Sequence, residues 1–223
     1  MQTRRDRAWA LSRPVHWIVW TVVLFALTIA LGLAAKALTA LRFAGLDAAV
    51  NRVNSPLLDT AALLLDKLDH PVVVAGILVV VFVVLLPLAG WRRALGVCVV
   101  TGAGWLTTLV VKFVVAQPRP STGDLTHLLH VSPATLSYPS GHVVFATALV
   151  AALATVCRTA TARTLVLVIG GLLVVAVAWS RLYVGVHYGT DVVGGVLNGA
   201  AGAVLTVGLW DLATRRLAPG RAS

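Results

Sequence analysis

Six apolar runs dominate this chain of 223 residues, each long enough, or nearly so, to cross a bilayer. A helix rises about 1.5 Å per residue, so about 20 residues span a hydrocarbon core of roughly 30 Å. The runs fall at 17–38, 72–90, 94–116, 140–157, 164–179 and 190–213. Lipid offers the backbone no hydrogen-bond partners, so these segments must fold as helices that satisfy their own N–H and C=O groups. The expected fold class is all-α, a polytopic six-helix transmembrane bundle. The fifth run is short, which predicts little tilt or help from apolar flanks such as Leu182 and Val184. Hydrophobic residues make up 59% of the chain and charged ones only 12%, which excludes an ordinary soluble domain. No linker or repeat divides 1–223, so a single integral-membrane domain is expected.

The basic residues set an orientation. Arg4, Arg5, Arg7, Arg13, Arg92, Arg93, Arg158, Arg163, Arg215, Arg216 and Arg221 all fall on one side of the six runs, against Asp6 and Asp211. The other side holds the seven remaining bases and six aspartates. The richer side is expected to be cytoplasmic, with both termini there. The net charge of +10 then reflects membrane orientation, and nucleic acid is no part of the reading. The arginine-rich start and first run resemble a signal peptide, but the run is long for one and reads as an uncleaved signal anchor. Cys98 lies mid-run and Cys157 at a run's end, a placement that predicts no disulfide.

Two loops stand out. In 39–70, Leu46, Val50 and Val53 share a helical face, with Asp47, Asn51 and Asn54 turned away from it. Asn54-Ser55-Pro56 breaks that helix, and Leu57, Ala61, Leu64, Leu65 and Leu68 resume an apolar stripe. This predicts two interfacial helices, which either shape the substrate's path or cap the bundle. Loop 121–138 carries Asp124, His127 and His130 at three-residue spacing. A metal site there lacks a second shell, so solvated histidines are the expectation.

Three clusters carry chemistry: Lys112-x6-Arg119-Pro120, Pro139-Ser140-Gly141-His142 and Ser180-Arg181-x5-His187-x3-Asp191. A charge at the centre of a membrane helix costs roughly 2.5–3.5 kcal/mol on insertion scales, so such residues need a reason to be there. The Arg119 fork, flanked by Pro118 and Pro120, suits bidentate phosphate binding. Arg119 would lie two helical turns beyond Lys112 if the helix persisted, but those prolines are expected to end it and hold the arginine in an extended segment. Ser140-Gly141 opens a helix whose first N–H groups favour an anion, and Gly141 lets backbone approach an oxyanion. The positive end of that helix makes His142 a better proton donor to a leaving alkoxide. His187 and Asp191 at i, i+4 face each other, so the carboxylate fixes the ring tautomer as the orienting acid of a triad does. His187 is thus the candidate nucleophile and His142 the candidate acid. Lys112, Arg119 and Arg181 supply the charge that phosphoryl transfer needs, so no metal or other cofactor is expected.

These clusters resemble the type 2 phosphatidic acid phosphatase (PAP2) family, related to vanadium haloperoxidases, whose pattern they fill in order from Lys112 to Asp191. Val143 stands where alanine is usual, and Gly189 where proline is frequent. The resemblance implies a metal-independent lipid phosphatase with its site at the extracytoplasmic end. It implies a phosphohistidine at His187 oriented by Asp191, and protonation of the leaving group by His142. Phosphate would be held by Lys112, Arg119, Ser140, Gly141 and Arg181. The implied partners are the bilayer and a phosphorylated lipid: phosphatidic acid, phosphatidylglycerol phosphate, diacylglycerol pyrophosphate or undecaprenyl pyrophosphate. The motifs leave open a lipid A phosphatase or lipid phosphotransferase on the same scaffold, a non-catalytic lipid binder or transporter, and the oligomeric state.

Overall fold

The computed structural model describes residues 11–42, 44–121, 126, 127, 129 and 136–217. Eight α-helices run through them: α1 Trp17–Ala37, α2 Ala44–Arg52, α3 Pro56–Asp66, α4 Pro71–Ala89, α5 Trp91–Val115, α6 Gly141–Val156, α7 Ala160–Tyr183 and α8 Gly189–Leu217. Five of these (α1, α4, α5, α7 and α8) are long and apolar enough to cross a membrane. The sixth, α6, is apolar but only 16 residues long. The fifth apolar run belongs to a helix of 24 residues, so its shortness reflects polar ends and not a short helix. At one end Thr159 caps it, its hydroxyl accepting from the Ala162 N–H at 3.1 Å. At the other it continues through Ser180 and Arg181 to Tyr183.

Helix ends differ from the proline-based expectation. The chain turns between α4 and α5 at Gly90, whose φ of 84° suits a residue without a Cβ, so Arg92 and Arg93 already lie inside α5. At the far end α5 stops at Val115, where Ala116 turns left-handed (φ 49°) and returns its N–H to the Lys112 carbonyl at 2.8 Å. Pro118 and Pro120 lie beyond this stop. Arg119 is therefore in extended chain, off the helical face that carries Lys112.

The bundle is organised around α8, which packs on α1, α5 and α6, while α6 also packs on α5 and α7 and α4 lies against α5. Lipid gives apolar side chains no reason to cluster, so close helix contact depends on small residues that let backbones approach. A Cβ on Gly202 of α8 would lie 2.6 Å from the Gly104 carbonyl oxygen of α5. One on Gly199 would lie 2.7 Å from the Val144 carbonyl oxygen of α6. Large apolar residues point outward instead, among them Val79, Val80, Val83 and Val84 on α4 and Leu165, Ile169 and Leu172 on α7.

The segment 39–70 does form two helices, and they pack on α7, while the tight turn Lys67–Asp69 rests on the start of α6. Ser55 caps α3, accepting from the Leu58 N–H at 3.3 Å, with Pro56 in the first turn. The faces are the reverse of the periodicity reading at one position. Asn51 is fully buried, while Leu46 and Val53 are exposed. Its amide donates to the carbonyls of His127 at 2.7 Å and Tyr183 at 2.9 Å, and its oxygen accepts from the N–H of Thr126 and His127. Where the solvent is lipid, an apolar stripe marks the outside as readily as the inside.

Candidate active site

The end of α5, the start of α6, the end of α7 and the start of α8 meet at one end of the bundle, the end that also carries α2 and α3. The three sequence clusters converge there because each sits at one of these termini. Tyr183 closes α7, Gly185 turns with φ 75°, and the chain delivers His187 just before α8 begins. His187 is 2% exposed and Asp191 fully buried. The His187 Nδ1 lies 3.2 Å from Asp191 Oδ2, which also accepts the Tyr188 N–H at 2.9 Å. A carboxylate only accepts, so Nδ1 carries the hydrogen and Nε2 keeps its lone pair. Burial, followed by the neighbouring Arg119, Lys112 and Arg181 cations, pushes the imidazole well below its ordinary value of 6.5. The ring is therefore neutral, with its free lone pair on Nε2.

One cation meets that nitrogen directly, and two others act on the ring through space. Arg119 Nη1 is 3.4 Å from His187 Nε2 and donates to the Val186 carbonyl at 2.8 Å. Lys112 Nζ donates to the Leu136 carbonyl at 2.7 Å. Arg181 is fully buried, its Nη1 bound to Asp66 Oδ1 and 3.3 Å from His142 Nε2. Ser180 has a definite place here: its hydroxyl donates to the Val177 carbonyl at 2.7 Å and accepts from Arg181 Nε at 3.2 Å, orienting the guanidinium. The Ser140 N–H donates to the Asp191 carbonyl at 3.0 Å, tying α6 to α8. The Ser140 hydroxyl is buried with no hydrogen-bond partner among the described residues.

The C-terminal half of the chain carries a recognisable signature beyond its motifs. The family model of the PAP2 superfamily matches residues 93–215, more than half of the sequence. The chain belongs to the PAP2 superfamily. It is 38% identical, over 99 residues, to an undecaprenyl-diphosphatase from Sulfolobus acidocaldarius. That match covers 44% of this chain and 46% of the relative, less than half the length of either. Its fold is that of a transmembrane PAP2-type phosphatidylglycerolphosphate phosphatase from Bacillus subtilis, with a TM-score of 0.69 at 22% identity over 91% of this chain and 98% of that one. It also resembles Aquifex aeolicus LpxE, with a TM-score of 0.57 at 21% identity over 74% of this chain and 93% of the other.

Within this PAP2 framework the site holds residues that the motifs do not contain. Gln117 is fully buried and donates to Asp191 Oδ1 at 2.9 Å, so the carboxylate is held from both sides. Asp66 and Asp69 come in from the 39–70 segment, the first on Arg181 and the second beside Gly141 and His142. Asp191 is thus one of three carboxylates facing three cations, whereas the sequence placed it alone near the bases. The only signal for the other two was position, since Asp66 and Asp69 immediately precede the run that begins at 72. His127 is not a freely solvated loop histidine: its Nε2 is 2.9 Å from Asp59 Oδ1, which also accepts the Tyr183 hydroxyl. That hydroxyl, more than His127, holds the Asp59 carboxyl below its usual range. Asp124 and His130 lie outside the described residues. Beside the site, a cavity of about 430 Å³ runs from Lys112, Gly141 and Asp69 past Trp105 to Leu106 and Leu109, whose outer faces are exposed.

Proposed function

We propose that this chain is a membrane-embedded lipid phosphatase that works without a metal through a phosphohistidine on His187. The observation that carries the reading is the neutral, tautomer-locked His187, whose Nε2 lone pair faces Arg119 at 3.4 Å, with the Lys112 and Arg181 cations also acting on the ring. A phosphoryl group needs in-line attack, neutralisation of its equatorial oxygens and a proton for the leaving group. His187 attacks phosphorus with its Nε2 lone pair. The three cations, the Ser140 hydroxyl and the free N–H groups at the start of α6 hold the oxygens. His142 protonates the departing oxygen, and water then cleaves the P–N bond. The apolar cavity beside Lys112 and Gly141 suits a lipid portion, which favours a lipid phosphate over a soluble one.

The candidate substrates are phosphatidic acid, phosphatidylglycerol phosphate, diacylglycerol pyrophosphate and undecaprenyl pyrophosphate. The partial likeness to an undecaprenyl-diphosphatase supports testing the last one first. The chain acts as one unit over 1–223, a six-helix bundle in which α6 completes the five long helices. The site faces the extracytoplasmic side, as the excess of bases at the opposite end indicates. Purified protein assayed on a panel of these lipids is expected to release phosphate in EDTA and to be blocked by vanadate. Activity that needs an added divalent ion, or no release from any lipid phosphate, would overturn the reading.

A further inference from the structure

The 39–70 segment puts a carboxylate where the motifs ask for none. Asp69 lies flat against the glycine of Pro139-Ser140-Gly141-His142. A Cβ on Gly141 would sit 2.7 Å and 2.9 Å from its two oxygens, so this glycine makes room for Asp69. Trp105 Nε1 holds Asp69 Oδ1 at 2.9 Å, and Oδ2 lies 3.5 Å from His142 Nδ1. The other ring nitrogen, Nε2, is 2.8 Å from the Asp66 carbonyl oxygen. A carbonyl oxygen only accepts, so Nε2 carries a hydrogen. Arg181 Nη1 lies farther from Nε2, at 3.3 Å, and donates to Asp66 Oδ1, so the shorter carbonyl contact sets the tautomer. The nitrogen left for chemistry is therefore Nδ1. It is buried, makes no hydrogen bond among the described residues, and faces a carboxylate. Two lone pairs do not face each other at low energy, and a proton on Nδ1 resolves the conflict.

We infer that Asp69, which lines the apolar cavity, is the positioning residue for leaving-group protonation, holding His142 beside it with the transferable proton on Nδ1. The inference rests on the phosphatase reading and adds a second histidine–carboxylate pair to His187–Asp191. When the bond from phosphorus to the leaving oxygen breaks, its electron pair stays on that oxygen, which takes the Nδ1 proton. The lipid alcohol, or lipid phosphate, departs into the cavity, and His142 is left neutral with its Nε2 hydrogen still on the Asp66 carbonyl. In the second half, Nδ1 takes a proton from the attacking water. The water oxygen bonds phosphorus, and the P–N electron pair returns to His187 Nε2. Asp69 favours the protonated ring before each turnover, acting through His142 Nδ1 and not on the substrate.

The test is Asp69→Asn assayed with a series of phosphates whose leaving groups range from a lipid alcohol to an acidic phenol. The amide keeps the Trp105 bond and the shape but donates to Nδ1, fixing the ring neutral. A loss of about 10- to 100-fold is expected for the lipid alcohol, part of the full general-acid effect, shrinking toward none for the phenol. In a His142→Ala background, Asp69→Asn is expected to add nothing. Trp105→Phe, which keeps the carboxylate but frees it, is expected to show the same pattern more weakly. An equal loss on every leaving group, no loss at all, or a full additional loss on top of His142→Ala would overturn the inference and leave the phosphatase reading standing. A wild-type protein that releases no phosphate from any of the series would instead overturn the phosphatase reading itself.

Discussion

The two histidines of the site are held in opposite ways. His187 belongs to the helical core: its partners are Asp191, at the start of α8, and Arg119, in the chain beyond α5, while Gln117 holds Asp191, which is fully buried. His142 starts on α6 in the same core, but what fixes its ring comes from the cap, through the Asp66 carbonyl and the Asp69 carboxylate. The core rests on close backbone contacts such as Gly104 with Gly202. The cap is held by polar clamps, Asn51 to four backbone groups and Asp59 to Tyr183 and His127. On the proposed mechanism, formation of the covalent intermediate depends on the helical core and protonation of the departing lipid on the 39–70 segment.

The comparison breaks first at His187. His187→Ala is expected to abolish turnover on every substrate, with no acid-labile radiolabel on the protein after rapid quench. A trapped phosphoenzyme in that variant would end the assignment. Next in size, Asp191→Asn keeps the shape but presents the wrong partner to Nδ1, and a loss of about 10²–10⁴-fold is expected, alike for good and poor leaving groups. A loss confined to poor leaving groups would move Asp191 to the His142 side of the reaction. A change in the cap is expected to cost less chemistry. Asn51→Ala leaves buried backbone groups of 126–127 and Tyr183 unsatisfied, at about 1–3 kcal/mol of local stability. Faster proteolysis within 39–70 is the readout, with phosphoenzyme formation retained; loss of the phosphoenzyme would show that cap and core are not separable. The smallest expected effect is one of pH. Because the His187 imidazole is held well below 6.5, its protonation removes no phosphorylation rate until the pH falls below that value. A single-turnover rate that falls with an imidazole midpoint at or above 6.5 would contradict the neutral nucleophile.

The core was far more legible in the sequence than the cap. Membrane helices announce themselves by apolar length, and Lys112, Arg119, His142, Arg181, His187 and Asp191 stand out because charge and polarity are costly in such surroundings. Spacing also pointed to the His187–Asp191 pair, although His187 sits in the turn before α8 and meets Asp191 there, not along a shared helical face. Asp66 and Asp69 sit in a polar stretch where aspartates are ordinary, and their role depends on how a loop folds back over α6. Asn51 was placed on the wrong side because a short helix between lipid and protein has two apolar neighbours. Ala116 gave no warning of a helix stop, since a left-handed alanine is set by what packs around it and the nearby prolines were the stronger sequence signal.

The shortness of α6 has a consequence for the membrane itself. At about 1.5 Å per residue its 16 residues reach about 24 Å, some 6 Å less than a hydrocarbon core of roughly 30 Å. Its far end joins α7 at Arg158, a residue that belongs at the water boundary, so the deficit falls at the Gly141 end. On the proposed reading, in which α6 completes a six-helix bundle and its start holds the phosphate, the phosphate seat would lie about one helical turn beneath the headgroup plane. A lipid would then have to sink, or the leaflet dip, to reach it, and the proposed turnover would respond to the local thickness of the bilayer.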